Sequence, residues 1–144
     1  VTDQICRVSA EEFQAILDEG VTFANWWGFQ TESLSYGRFT LRQPVRKDHQ
    51  RPGGIVGGPV LFGLADSALY GLVMTVAGPV KMAITTDMSI RFLRPAGLRD
   101  TDLLAEARLI KAGKRLVIGE VAIRHEDEED PVCHATGTYS IPPK

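Results

Sequence analysis

Apolar side chains recur at positions 61, 64, 65, 68, 69, 72, 73 and 76, the spacing of one face of a 3.6-residue helix. The run opens on Gly57-Gly58-Pro59. A proline suits the first helical position because its missing N–H has no intrahelical partner there. A helix from Pro59 to Val76 follows, roughly 27 Å long at 1.5 Å per residue. Burying its stripe makes it the core. After the Gly78-Pro79 turn the period changes to two. Ile84, Thr86, Met88, Ile90 and Phe92 then share one face of a strand, and Thr85, Asp87, Ser89 and Arg91 the other.

The flanking elements follow the same logic. Ser9 and Glu12 form a capping box, and Phe13, Ile16 and Leu17 continue at helical spacing, predicting a short helix over 10–18 ended by Gly20. Thr22 to Trp27 and Tyr36 to Gln43 are aromatic and β-branched enough to read as strands, the second stopped by Pro44. Residues 28–35 between them carry no clear period, and residues 45–54 form a polar loop. Leu103 to Ile110 and Arg115 to Arg124 make a hairpin around Lys111-Ala112-Gly113-Lys114. Val132 to Ile141 is the last strand. The acidic run 126–130 before it lacks the glycine and ligand alternation of a calcium loop and reads as solvated surface. The expected class is α+β: one domain over 1–144, residues 1–20 its N-terminal helical segment, with an antiparallel sheet covered by the central helix.

Composition narrows the function. The 144 residues carry a formal charge of −2, without the basic stripe that a nucleic-acid partner needs. No apolar run is expected to reach the roughly 20 residues of a membrane span, and the first residues lack the basic and apolar regions of a signal peptide. The expectation is a cytoplasmic protein with no membrane partner. Cys6 and Cys133 have no metal-site spacing and read as idle thiols.

One residue breaks the central pattern. Asp66 lies two turns inside an otherwise almost wholly apolar helix, with Phe62 and Tyr70 at i−4 and i+4 on the same side. It either points to water, bonds Tyr70 or nearby backbone, or sits in a cleft as a carboxylate able to activate water or attack carbon. The helix start supplies a second component: free backbone N–H groups near Gly58, at the positive end of the dipole, suit a developing oxyanion. Eight residues separate the two, about 12 Å along one axis. One carbonyl cannot be reached by both from the same chain, so cooperation between them requires a two-fold dimer with shared sites.

These residues carry a family resemblance. Gly53-Gly54-Ile55-Val56-Gly57-Gly58-Pro59, Leu64-Ala65-Asp66-Ser67-Ala68 and the run Thr85 to Pro95 resemble the hotdog-fold acyl-CoA thioesterases of the phenylacetate-pathway (PaaI-like) type. Residues 105–108, 113–115 and 135–139 fit the same family. The resemblance implies a hotdog fold, a curved antiparallel sheet wrapped around the helix. It further implies homodimers, often paired into tetramers, and hydrolysis of a small or medium acyl-CoA, including aryl-acyl groups, with no metal or cofactor beyond the substrate's own coenzyme A. Asp66 matches the family's acidic general base or nucleophile, and Gly58 the glycine whose N–H polarises the thioester carbonyl. Two positions depart from the pattern. Gly57 stands where the family's histidine is usual, and Arg51 where an asparagine is common.

The remaining candidates are substrate-binding ones. His49 and Arg51 lie in the loop before the helix. Phe62 and Tyr70, with Trp26 and Trp27, suit an aromatic pocket or the core. Arg91, Arg94, Lys111, Lys114 and Arg115 form either a solvated sheet edge or a rim for the coenzyme A phosphates. His125 and His134 read as solvent-facing strand residues. Two other activities fit the same frame: a hotdog protein that binds acyl-CoA without hydrolysing it, and a hydratase or dehydratase of acyl thioesters.

Overall fold

The computed structural model describes residues 4–143; Val1 to Asp3, the start of the segment where no signal peptide is expected, and Lys144 lie outside the described residues. The elements in order are α1 (Ala10–Gly20), α2 (Thr22–Trp27), β1 (Gln30–Ser35), β2 (Arg38–Gln43), a 3-10 turn (Lys47–His49), β3 (Gln50–Arg51), β4 (Ile55–Val56) and α3 (Gly58–Ala77). Then come β5 (Ile84–Phe92), β6 (Leu103–Ala112), β7 (Leu116–His125) and β8 (Cys133–Ser140). Six strands form one antiparallel sheet in the order β1-β2-β6-β7-β8-β5. The helix α3 packs across it, against β2, β6, β7, β8 and β5. This is the hotdog arrangement.

The sheet lets α3 approach closely because three glycines carry no side chain where the two surfaces meet. A Cβ on Gly119 would lie 2.4 Å from Leu72, one on Gly137 2.6 Å from Leu69, and one on Gly71 2.5 Å from the Phe39 ring. Fourteen of the 20 residues of α3 are buried, more than a single stripe of eight can account for. Its second side is covered too: Phe13 of α1 sets its ring edge-on to Tyr70, and Phe23 and Trp27 of α2 close on Gly63. By length and composition α3 reaches the size of a membrane span, against the expectation that no run does. Its burial under the sheet accounts for that composition.

The N-terminal third departs from the expected elements. Thr22–Trp27 is a helix, capped by Gly28 in the left-handed conformation (φ 79°). Its aromatics read as β-formers, but Phe23 and Trp27 are four apart and one helical turn brings both onto α3, so tertiary packing overrides propensity. The first strand is instead Gln30–Ser35, within the stretch that showed no period, and Tyr36-Gly37 is the turn into β2. Gly37 adopts φ 75°, which suits a tight hairpin.

Strand β5 also changes register. A bulge between Thr85 and Asp87 leaves Thr86 unpaired, Thr85 facing Tyr139, and Met88 facing Gly137. Thr85, Met88, Ile90 and Phe92 therefore share the face toward α3, while Ile84 turns outward and is 61% exposed. The strict alternation placed Ile84 and Thr86 inside; one inserted residue reverses that end.

Candidate active site

Asp66 is half-buried in the middle of α3 and borders a cleft of about 600 Å³. The cleft is lined by Ile16, Glu19, Gly20, Val21 and Phe23 from the α1–α2 segment, by Tyr70 of α3, and by Lys81, Ala83, Ile84 and Thr85 at and before the start of β5. Two hydroxyls converge on one carboxylate oxygen. Thr85 donates to Asp66 Oδ1 at 2.6 Å, and Tyr139 donates to the same Oδ1 at 2.6 Å. The Tyr139 hydroxyl also lies 2.9 Å from the Asp66 carbonyl oxygen. No described residue donates to Oδ2. The carboxylate is thus held by one oxygen, with the other uncommitted.

The local fold supplies these donors. Thr85 and Tyr139 are cross-strand partners on the inner face of β5 and β8. Burial, and then the Asp66 charge beside it, push the Tyr139 phenol well above its ordinary range, so it stays protonated and acts as donor. Tyr70 is raised by burial as well and donates to the Lys81 carbonyl at 2.7 Å. Neither Thr85 nor Tyr139 stood out in the sequence as a partner for Asp66. Tyr139 lies 73 positions from Asp66, and the inward turn of Thr85 depends on the bulge.

At the other end of α3, Gly57 is the N-cap and donates its N–H to the His49 carbonyl at 2.9 Å. Gly58 opens the helix, and its N–H has no acceptor among the described residues. The Phe92 ring covers it: a Cβ on Gly58 would lie 3.6 Å from that ring, an ordinary contact.

The other sequence candidates scatter. His49 does not line the cleft; it is 1% exposed. Its Nδ1 accepts from the Arg46 N–H at 3.2 Å and lies 3.1 Å from Gln43 Nε2, which puts the ring proton on Nε2, 3.1 Å from the Trp27 carbonyl. Burial lowers its pKa and keeps it neutral. It braces the loop. Arg51 is exposed in β3, opposite Ile55. Tyr70 lines the cleft; Phe62 does not, and Trp26 is 69% exposed, stacked on Trp27. Arg91 faces His134 on the outer side of the sheet. Arg94 donates to the Asp130 carbonyl at 2.6 Å, fastening the acidic loop. Lys114 is exposed beside Arg115, whose Nε donates to the Ile141 carbonyl at 3.0 Å. Their hairpin adjoins Leu116, which pairs with Ser140, itself paired with Ile84; it therefore stands at the Asp66 end of the sheet. His125 is buried rather than solvent-facing and bonds Thr101, while His134 is half-buried beside Glu120. Cys133 is a buried thiol pushed up to about 11 by desolvation.

The arrangement is that of a carboxylate beside a cleft, distant from a free amide at a helix N-terminus. Known proteins resemble the chain that carries it. The family model described as the thioesterase superfamily matches residues 53–132, which include both groups. An inferred thioesterase of Silicibacter sp. TM1040 is 38% identical, with a TM-score of 0.83 over 96% of this chain and 94% of that one. A variant of phenylacetic acid degradation protein PaaI from Thermus thermophilus is 26% identical, with a TM-score of 0.74 over 84% of this chain and 99% of that one. An inferred esterase of Saccharolobus solfataricus is 29% identical over 134 residues, 93% of this chain and 86% of that protein. With the six-stranded sheet around α3 and a family match across both ends of that helix, the chain belongs to the thioesterase superfamily of hotdog proteins.

Proposed function

We propose that the protein hydrolyses an acyl-CoA thioester, with Asp66 as general base toward water or as the attacking nucleophile. The observation that carries this reading is the Asp66 carboxylate, fixed through Oδ1 by two hydroxyls while Oδ2 is left without a donor beside the cleft. Acting as base, Oδ2 takes a proton from water, the oxygen adds to the thioester carbon, and the carboxyl returns the proton to the departing thiolate sulfur. The Gly58 N–H receives the developing oxyanion, and the start of α3 adds its dipole.

The working unit in this proposal is a dimer of this chain, because about 12 Å of helix separates Gly58 from Asp66. The edge strand β5 supports a specific geometry. One end carries Thr85, bonded to Asp66, and the other carries Phe92, packed over Gly58. Antiparallel pairing of two β5 edges about Met88 lays the Thr85 end of one copy beside the Phe92 end of the other. Each Asp66 then meets the partner's helix start. Lys114 and Arg115 at the first end and Arg91 and Arg94 at the second approach the same region and supply positive charge for the coenzyme A phosphates.

Binding without hydrolysis is the competing reading, and Gly57 in the place of the family's histidine is the observation that favours it. The test is thiol release from short-, medium- and aryl-acyl-CoAs by the wild type and by Asp66→Asn. Turnover that falls about 10²–10⁴-fold in the variant, as expected for loss of a positioned base, supports the enzyme. Stabilisation of the wild type by acyl-CoAs with no thiol released supports the binder. Undiminished turnover by Asp66→Asn removes Asp66 from the chemistry.

A further inference from the structure

The geometry points to Tyr139 as a positioning residue that fixes the plane of the Asp66 carboxylate and thereby makes Oδ2 the reacting oxygen; this rests on the role proposed for Asp66. An aspartate's final torsion is broad and roughly two-fold, so an unrestrained carboxylate offers either oxygen over a wide arc. Here one phenol hydroxyl spans two atoms of the same residue, Oδ1 at 2.6 Å and the backbone carbonyl oxygen at 2.9 Å. Bridging a side chain to its own backbone removes rotation between them. Thr85 adds a second donor to Oδ1, so that oxygen is saturated from the sheet side.

The surroundings keep this clamp in place. Tyr139 is 5% exposed, and its ring stacks on Tyr70 at 6.0 Å between centroids. Gly137, two residues earlier on the same face of β8, has no side chain to hold α3 away, and Leu69 occupies that space. The helix therefore sits close enough to the sheet for the phenol to reach Asp66. The titratable groups lining the Asp66 cleft are Glu19 from α1, Tyr70 from α3, Lys81 from the turn before β5, and Tyr139 from β8. Of these four, only Tyr139 bonds the carboxylate, and it does so as a donor.

A donor to a carboxylate favours its charged form. Tyr139→Phe keeps the ring and its packing and removes only that donor. The variant is expected to lose about ten- to a hundred-fold in kcat, with KM changed by less than about two-fold. Site-specific 2,3-difluorotyrosine at 139, a donor of altered strength and nearly the same shape, should change kcat and leave KM within about two-fold, and it keeps the test intact should Tyr139→Phe fold poorly. In Asp66→Asn, adding Tyr139→Phe should cost no further activity. Activity retained by Asp66→Asn would overturn the Asp66 reading itself. An inactive Asp66→Asn beside unchanged kcat in both Tyr139 variants would leave Asp66 in place and overturn the role given to Tyr139.

Discussion

The Gly57 N–H donates to the His49 carbonyl at 2.9 Å, so the loop that His49 braces is tied directly to the start of α3. With that amide engaged, Gly58 offers the next free N–H. The imidazole that holds the loop is buried and neutral, and His125 at the end of β7 is buried and lowered by desolvation in the same way.

A pH dependence of stability follows from those two rings. Below about 6.5 the unfolded chain protonates both histidines, whereas the folded chain resists, so the unfolded state binds more protons. Stability is then fully present above that pH and is lost as the pH falls from it toward the depressed folded values. Urea midpoints measured from pH 7.5 down to 5 should decline, and His49→Gln should decline less steeply than the wild type. Equal slopes would mean that His49 is protonated in the folded protein.

Gly71 lies under the Phe39 ring, where a methyl group would come within 2.5 Å. Helix propensity alone favours Gly71→Ala by about 1 kcal/mol. Overpacking against a buried ring costs about 1–3 kcal/mol and outweighs it. Gly71→Ala should therefore lower the thermal midpoint, whereas an exposed helical glycine would raise it. A calorimetric scan of the two proteins decides the sign.

Phe92 is 53% exposed at the end of the edge strand. Phe92→Glu places a charge on the proposed two-fold contact without emptying a core position. Sedimentation of this variant should show monomers at concentrations where the wild type is dimeric, and thiol release should fall with the dimer. A dimeric, active Phe92→Glu protein would move the interface elsewhere.

The strands after α3 were legible because each is long and bounded by turn residues, and α3 because its apolar spacing is unbroken. Asp66 was legible for the same reason: in a helix so apolar, one acid has to be accounted for. What surrounds Asp66 was not. Regular alternation sends Thr85 outward, and only the bulge at Thr86 turns it in. Tyr139 looks like any aromatic in an inner strand position until the sheet folds over the helix. Thr22–Trp27 has strand-like residues, yet its place against Gly63 rewards the helical spacing of Phe23 and Trp27. The loop position of His49 suggests a cleft-facing side chain, and its ring instead closes that loop on itself.

The nine-residue β5 has one edge bonded to β8 and the other open, flanked by the exposed side chains of Met82, Ile84, Phe92 and Leu93. An isolated copy presents a template on which further strands of any origin can add. A closed two-fold pair consumes that template in a single step and leaves only the shorter β1 at each outer margin. Self-association through β5 would then serve solubility as much as chemistry. Variants that loosen it without placing a charge on the edge, as Phe92→Glu does, should be lost to aggregates during expression.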